Sequence, residues 1–308
     1  MQYMQKINYK IKDNKILYTA FGDYNLEQTF ECGQAFRFDR YKEGYKGFIE
    51  KQLCYITLDR DADSLPTHKK DEEGICGKNA LLAVELIHTQ PTDDLAVKIG
   101  QFLSLDTDYT ALKEKFSKNE TLARAIAFAP GIRVLNQDFF ETLITFIISQ
   151  NNNIPRIKGI IENMSKAYGE GFNQDGNTYY AFPTAKSLAD AGEEKIFALK
   201  TGFRAKYIYD AATKVTNGEI NLNAIFDMNL EEAMQTLMKI KGVGPKVASC
   251  VLLFGFSKYD AFPIDVWVKK ILANYYSDGI PSHLSGKYAG IAQQYLFYYE
   301  RCKNNVYL

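Results

Sequence analysis

The chain has 308 residues, 37 Lys plus Arg against 37 Asp plus Glu, and 46% apolar residues. These figures exclude a disordered chain, which needs lower hydrophobicity and a larger net charge, and 21 Gly exclude a collagen-like repeat. They also exclude a protein that coats nucleic acid by bulk positive charge, so any such binding must use a local patch.

In chain order, residues 1–6 lack the apolar segment of a secretory signal. Ala35-Phe36-Arg37-Phe38-Asp39-Arg40-Tyr41 alternates apolar and charged positions, which predicts a strand. Residues 47–49 and 53–58 predict two more, joined by short charged turns. Tight turns between short strands predict an antiparallel sheet in the first ninety or so residues. Residues 59–78 are charged and contain Pro and Gly, which predicts a loop; residues 93–105 predict a helix covering one face of the sheet. From about residue 119 the periodicity becomes helical. Helices are predicted over 122–128, 139–148, 154–168, 187–199, 206–215, 230–238, 245–254, 266–276 and 283–301. The fold class is therefore α+β: an antiparallel-sheet domain over 1–118, then an all-helical domain over 119–308.

No apolar run reaches the roughly 18 residues that span a membrane. Five cysteines, at 32, 54, 76, 250 and 302, are odd in number and scattered, which suits a reduced cytoplasmic setting without a disulfide framework. Charge divides weakly: residues 1–118 carry 17 basic and 19 acidic groups, and residues 119–308 carry 20 and 18. Locally the bias is sharper. No acid lies between Glu232 and Asp260, a stretch holding Lys239, Lys241, Lys246 and Lys258. None lies between Glu141 and Glu162, where Arg156 and Lys158 stand.

The most informative segment runs from Leu237 to Ala248. Asn229 followed by Glu232 makes a capping-box start for the helix before it. Gly242 and Gly244 supply a tight turn, and Pro245 stands at the favoured first position of the next helix. A glycine turn feeding a helix N-terminus exposes backbone N–H groups that can hold a phosphate. This is helix-hairpin-helix geometry for gripping DNA without reading sequence. An ordinary helix–turn–helix connection stays open on this segment alone. A P-loop is excluded, because the spacing to a Lys-Ser/Thr pair is absent. Lys246 falls in the first turn of the second helix, where the dipole disfavours an ammonium; a neutral amine is what a Schiff-base nucleophile needs. Cys250, four residues on, shares its face. Asp265 is a natural N-cap for the following helix, and capping does not exclude catalysis.

These residues resemble the helix-hairpin-helix DNA glycosylase superfamily, on its bifunctional glycosylase/lyase side, and most closely the 8-oxoguanine DNA glycosylase family. The likeness covers nearly the whole chain. It runs through Cys32-Gly33-Gln34-Ala35-Phe36-Arg37, through residues 146–156 with Ser149-Gln150-Asn151-Asn152-Asn153, through Gly202-Phe203-Arg204-Ala205-Lys206-Tyr207, and through residues 288–297.

The resemblance implies a TATA-binding-protein-like antiparallel domain, then two helical subdomains with the site in the cleft between them. It implies that Lys246 attacks the sugar C1′, expels the damaged base and forms an imine whose β-elimination nicks the strand. Asp265 would stabilise positive charge developing at the sugar. The Gly33 carbonyl would accept the N7–H that 8-oxoguanine has and guanine lacks. Cys250 and Phe297 would sandwich the flipped base, and Gln293 would meet its Watson–Crick edge. Asn151, Arg156 and Arg204 would hold the estranged cytosine, with Phe203 wedged into the stack. Gly242 and Gly244 would hold the DNA backbone, and the carbonyls of Met238, Ile240 and Val243 a monovalent cation bridging to phosphate. The implied partner is duplex DNA containing oxidised guanine, bound by a monomer at the bacterial nucleoid, with no iron–sulfur cluster or other cofactor. Two residues depart from the family pattern: Trp267 stands where many members carry His, and Phe203 replaces a common Tyr.

Three alternatives differ at named features. An endonuclease III-like enzyme for oxidised pyrimidines shares the hairpin, Lys and Asp, but its cluster needs four Cys and only Cys302 follows Cys250. An alkyl-base glycosylase lacks the catalytic Lys. A non-catalytic lesion-binding protein would not need both Lys246 and Asp265.

Overall fold

The computed structural model describes residues 3–59, 80–174, 176–276 and 286–303. Most of the loop predicted at 59–78, with Cys76, and the start of the helix predicted at 283 lie outside the described residues. The chain forms two units. The first comprises Met1–Cys32 with Phe38–Leu135, and the second Gly33–Arg37 with Asn136–Leu308.

In the first unit, β1 (Asn8–Lys12), β2 (Lys15–Thr19), β3 (Phe38–Tyr41), β4 (Gly44–Ile49), β5 (Gln52–Asp59) and β6 (Leu81–Leu86) form one antiparallel sheet in the order β1-β2-β6-β5-β4-β3. The register sets Ile16, Val84, Ile56 and Tyr45 in one row across four strands. All four are buried, as the period of two requires. Each fully buried Ile or Val in that row contributes about 1.5–3 kcal/mol. Helix α1 (Leu26–Phe30) is too short to show a period in the sequence. Helix α2 (Asp93–Phe102) turns Ala96, Ile99 and Phe102 inward, and the Tyr18 hydroxyl donates to its Ala96 carbonyl at 2.6 Å. Helices α3 (Tyr109–Phe116) and α4 (Glu120–Phe128) follow, so this unit extends past residue 118. Arg133 is fully buried there; its guanidinium donates to the carbonyls of Phe21, Asp23, Ser104 and Thr107 and lies 4.2 Å from the Tyr109 ring centroid.

The second unit is built on α5 (Phe139–Ser149), which is buried from Thr142 to Ile148. Around it stand α6 (Ile154–Tyr168), α7 (Ala185–Ala191), α8 (Glu193–Ile196), α9 (Ala205–Thr216), α10 (Leu230–Met238), α11 (Pro245–Gly255), α12 (Val266–Tyr275) and α13 (Ala289–Cys302). A two-stranded hairpin, β7 (Gly171–Gln174) with β8 (Asn177–Tyr180), adds the only strands of this unit among the described residues. The helix predicted over 187–199 is broken at Gly192, whose φ of 80° ends α7, and a wide turn follows at Phe197–Thr201 with Lys200 left-handed at φ 66°. The strand predicted from residue 35 starts at Phe38 instead, because residues 33–37 pack into the second unit. Among the described residues no helix is long and apolar enough to cross a membrane.

Candidate active site and nucleic-acid interface

Local sequence builds the hairpin. The capping box forms: the Asn229 side chain accepts from the Glu232 N–H at 3.0 Å, and the Glu232 side chain accepts from the Asn229 N–H at 3.1 Å. Helix α10 then ends and the chain turns at Gly242, where φ is 77°. A Cβ there would lie 2.4 Å from the Tyr207 ring, so the backbone seats directly on an aromatic face. Gly244 caps α11 without any side-chain bond, and a Cβ on it would meet nothing within 4 Å among the described residues. Packing explains Gly242 but not Gly244. The open approach to the first-turn N–H groups of α11 is what a phosphate needs.

Helix α9 holds this turn. Asp210 accepts from the Lys241 N–H at 2.8 Å and pairs with the Lys241 ammonium at 3.5 Å. Lys214 donates to the Lys239 carbonyl at 2.6 Å and pairs with Asp210 at 3.2 Å. Sequence reading missed Asp210, since a lone acid on a helix carries no signal of what it will meet.

Lys246, Cys250 and Asp265 come together. Lys246 is half-buried in the first turn of α11, and its ammonium lies 5.5 Å from the centroid of the Phe146 ring on α5. Cys250 is buried one turn later. Burial pushes its thiol up to about 11; Lys246 pulls it down by charge and hydrogen bonding, and Asp265 pushes it up. Cys250 is therefore a neutral thiol at physiological pH, a polarisable surface rather than a competing nucleophile. Asp265 caps α12, accepting from the Val268 N–H at 2.8 Å through Oδ1; the other carboxylate oxygen is not part of the cap.

Gln293 and Phe297 lie along α13, with Gly33 beside its last turn. A Cβ at Gly290 would lie 2.5 Å from Leu253 of α11 and from the Ala261 carbonyl, so only glycine lets α13 come this close to α11. Gln293, Phe297 and Arg301 then follow at four-residue intervals on one side of α13. Gly33, at φ 80°, lies beside the end of this row, its virtual Cβ 3.5 Å from Arg301 Nη1. Gln293 is buried, yet its Oε1 has no hydrogen-bond partner among the described residues. Such an orphan costs free energy unless a ligand supplies a donor.

Asn151, Arg156, Phe203 and Arg204 form a third group. Phe203 is 50% exposed, with the Arg204 guanidinium 4.3 Å from its centroid and the Tyr207 ring edge-on at 6.1 Å. Arg204 itself is buried. It donates to the carbonyls of Gln150, Asn151 and Thr201, holding Asn151 in a left-handed conformation at φ 47°. Burial, and then the Arg156 charge, lower its pKa. Arg156 is exposed and donates to the Lys200 carbonyl at 3.4 Å. Trp267 is half-buried, with the Lys270 ammonium 5.5 Å from its ring. Among the described residues no group of three or more His, Cys, Asp or Glu is gathered to hold a metal.

Known proteins resemble this chain along most of its length. Residues 16–143 match the family model of the 8-oxoguanine DNA glycosylase N-terminal domain, and residues 144–282 that of the HhH-GPD superfamily of base excision DNA repair proteins. The N-glycosylase/DNA lyase OGG1 of Arabidopsis thaliana is 34% identical over 265 residues, covering 82% of this chain and 66% of the relative. A probable N-glycosylase/DNA lyase of Methanothermobacter thermautotrophicus is 28% identical, covering 82% of each. The solved structure of Clostridium acetobutylicum 8-oxoguanine glycosylase/lyase, in complex with double-stranded DNA containing cytosine opposite 8-oxoG, superposes with a TM-score of 0.81 at 34% identity, covering 98% of this chain and 99% of that one.

Proposed function

Because the chain belongs to the 8-oxoguanine DNA glycosylase family of helix-hairpin-helix base-excision proteins, we propose that it excises 8-oxoguanine from duplex DNA and nicks the strand at the abasic site. The observation that carries this reading is the meeting of Lys246, Cys250 and Asp265 beside the phosphate-binding turn of α11. The Lys246 amine attacks the sugar C1′ as the C1′–N9 bond breaks, and the base leaves with that electron pair and takes a proton. The lysine nitrogen then pushes out O4′: the C1′–O4′ bond breaks, the sugar ring opens, O4′ takes a proton and an imine forms at C1′. The imine loses a C2′ proton, the C3′–O bond breaks with the phosphate leaving, and water releases Lys246 from the product. The Asp265 carboxylate stabilises the cationic sugar on the way. Lysine alone supplies the covalent chemistry, so the reading needs no redox or metal cofactor.

The flipped base fits between Cys250 and Phe297, with Gln293 offering its orphaned Oε1 to the Watson–Crick edge and Gly33 its carbonyl to N7–H. Guanine would present a lone pair to that carbonyl, so one backbone acceptor separates lesion from normal base. Phe203 fills the vacated stack. Asn151 and Arg156 are exposed and would meet the opposite cytosine, while Arg204 holds the Asn151 backbone for that contact. The Ile240 carbonyl accepts the Val243 N–H at 3.1 Å and keeps a second lone pair. With those of Met238 and Val243 it would hold a monovalent cation against phosphate. The enzyme would act as a monomer on nucleoid DNA.

Borohydride trapping tests the reading. Duplex with 8-oxoguanine opposite cytosine should give a covalent adduct, and base release should be roughly ten- to a hundredfold slower opposite adenine, the worth of one good bidentate contact. Absence of trapping, and of base release from any duplex, would leave only a DNA-binding role.

The two hairpin glycines should behave differently. Gly244→Ala should fold with an unchanged melting temperature and lose DNA affinity, since the methyl group enters open space beside the first-turn N–H groups. Gly242→Ala should destabilise the fold by about 1–3 kcal/mol, because the residue is left-handed and backed by Tyr207. Equal affinities for wild type and Gly244→Ala in a titration at low salt would remove this turn from the interface.

A further inference from the structure

Residues 33–37 lie between two parts of the first unit in sequence, yet pack in the second. Side-chain contacts from the second unit seat them. The Gln137 Nε2 donates to the Gln34 carbonyl at 2.8 Å. The Phe36 ring stands edge-on to Phe146 at 6.0 Å. The Arg37 guanidinium donates to the Tyr180 carbonyl and pairs with Glu141 at 3.5 Å, with only 8% of its side chain exposed.

These anchors lead to the nucleophile. Gln137 also donates its N–H to the Phe254 carbonyl of α11 at 2.8 Å, so one residue ties the Gly33 segment to the helix carrying Lys246. Phe146 stacks on Phe254 at 5.5 Å and underlies Lys246. Glu141 has its own N–H fixed by the Asp138 cap, which leaves its carboxylate for Arg37. Gln137, just before the Asp138 cap, and Glu141, in the first turn of α5, are four residues apart and grip opposite ends of the segment. Neither is part of the Lys246, Cys250 and Asp265 group.

We infer that Gln137 and Glu141 are positioning residues that set the Gly33 carbonyl at a fixed distance from the Lys246 helix, and so govern which base is released rather than the lyase chemistry. The inference rests on the reading of Gly33 as the acceptor for the N7–H of the lesion. An abasic site has no base to read, so strand nicking at such a site does not depend on that carbonyl. A shift of about 1 Å in a positioned group can cost on the order of a hundredfold in rate.

The test uses the full chain, the variants Gln137→Ala and Glu141→Gln, and two duplexes of one sequence. One duplex holds 8-oxoguanine opposite cytosine, the other a preformed abasic site. Base release from the first should fall roughly ten- to a hundredfold in both variants, while nicking of the second changes less than about threefold. Preserved nicking also reports that the variants fold. A parallel loss of both activities, or no loss of either, overturns the inference. Gly33→Ala separates this from the reading beneath it. If Gly33→Ala loses the preference for 8-oxoguanine over guanine while both positioning variants keep wild-type release, the inference alone fails. If Gly33→Ala keeps that preference, the reading of Gly33 fails and the inference with it.

Discussion

Lys246→Gln is expected to abolish base release and strand nicking together, by on the order of 10^4- to 10^6-fold, the scale for removing a covalent nucleophile. The amide is one bond shorter than the lysine side chain and loses its ammonium from the Phe146 face, but keeps much of the stem volume, so the fold of α11 should persist. The variant should still bind duplex, because the turn at Gly242 and Gly244 and the clamp from Asp210 do not involve residue 246. Borohydride should trap wild-type protein on lesion DNA and leave the variant unlinked. A trapped adduct in the variant would mean that another amine attacks C1′, and the assignment would be lost.

Asp265→Asn should slow base release by roughly 10^2- to 10^3-fold while leaving stability and DNA affinity close to wild type. Asparagine caps a helix as well as aspartate does, so the bond to the Val268 N–H survives the change. What is lost is the charge. Asp265→Ala removes both roles, and loss of the cap should add about 1 kcal/mol of destabilisation. Single-turnover rates set beside melting temperatures divide the two roles. Unchanged turnover in Asp265→Asn would reduce Asp265 to a cap. A melting temperature as low in the Asn variant as in the Ala variant would contradict the capping geometry.

The sequence made the hairpin legible because its signals are local. The capping box, the two glycines, Pro245 and the Asp265 cap each act within four residues, and each forms as expected. The sheet was legible from alternation, although β3 was misplaced. Residues 35–37 continue the strand pattern, yet Arg37 and Phe36 are held by Glu141 and Phe146, more than a hundred residues away in sequence. No periodicity reports a partner at that distance. The same limit applies to Arg204. The family resemblance implies a cytosine contact for Arg204, but no local pattern announces the carbonyls of Gln150, Asn151 and Thr201 to which it donates, with Asn151 and Arg156 exposed beside it. Asp210 and Gln137 were invisible for the same reason: their importance lies in the backbone groups they meet.

The detached segment also bears on how the chain is made. Cys32 and Phe38 belong to the first unit, so once that unit folds, residues 33–37 are already closed into a short loop, and little chain entropy remains to oppose their seating. Their partner Glu141 lies 104 residues after Arg37, which is about 5–20 s of synthesis on the ribosome. Lys246 emerges later still. The order of translation thus lays down the acceptor, then its anchors, and last the amine that cuts.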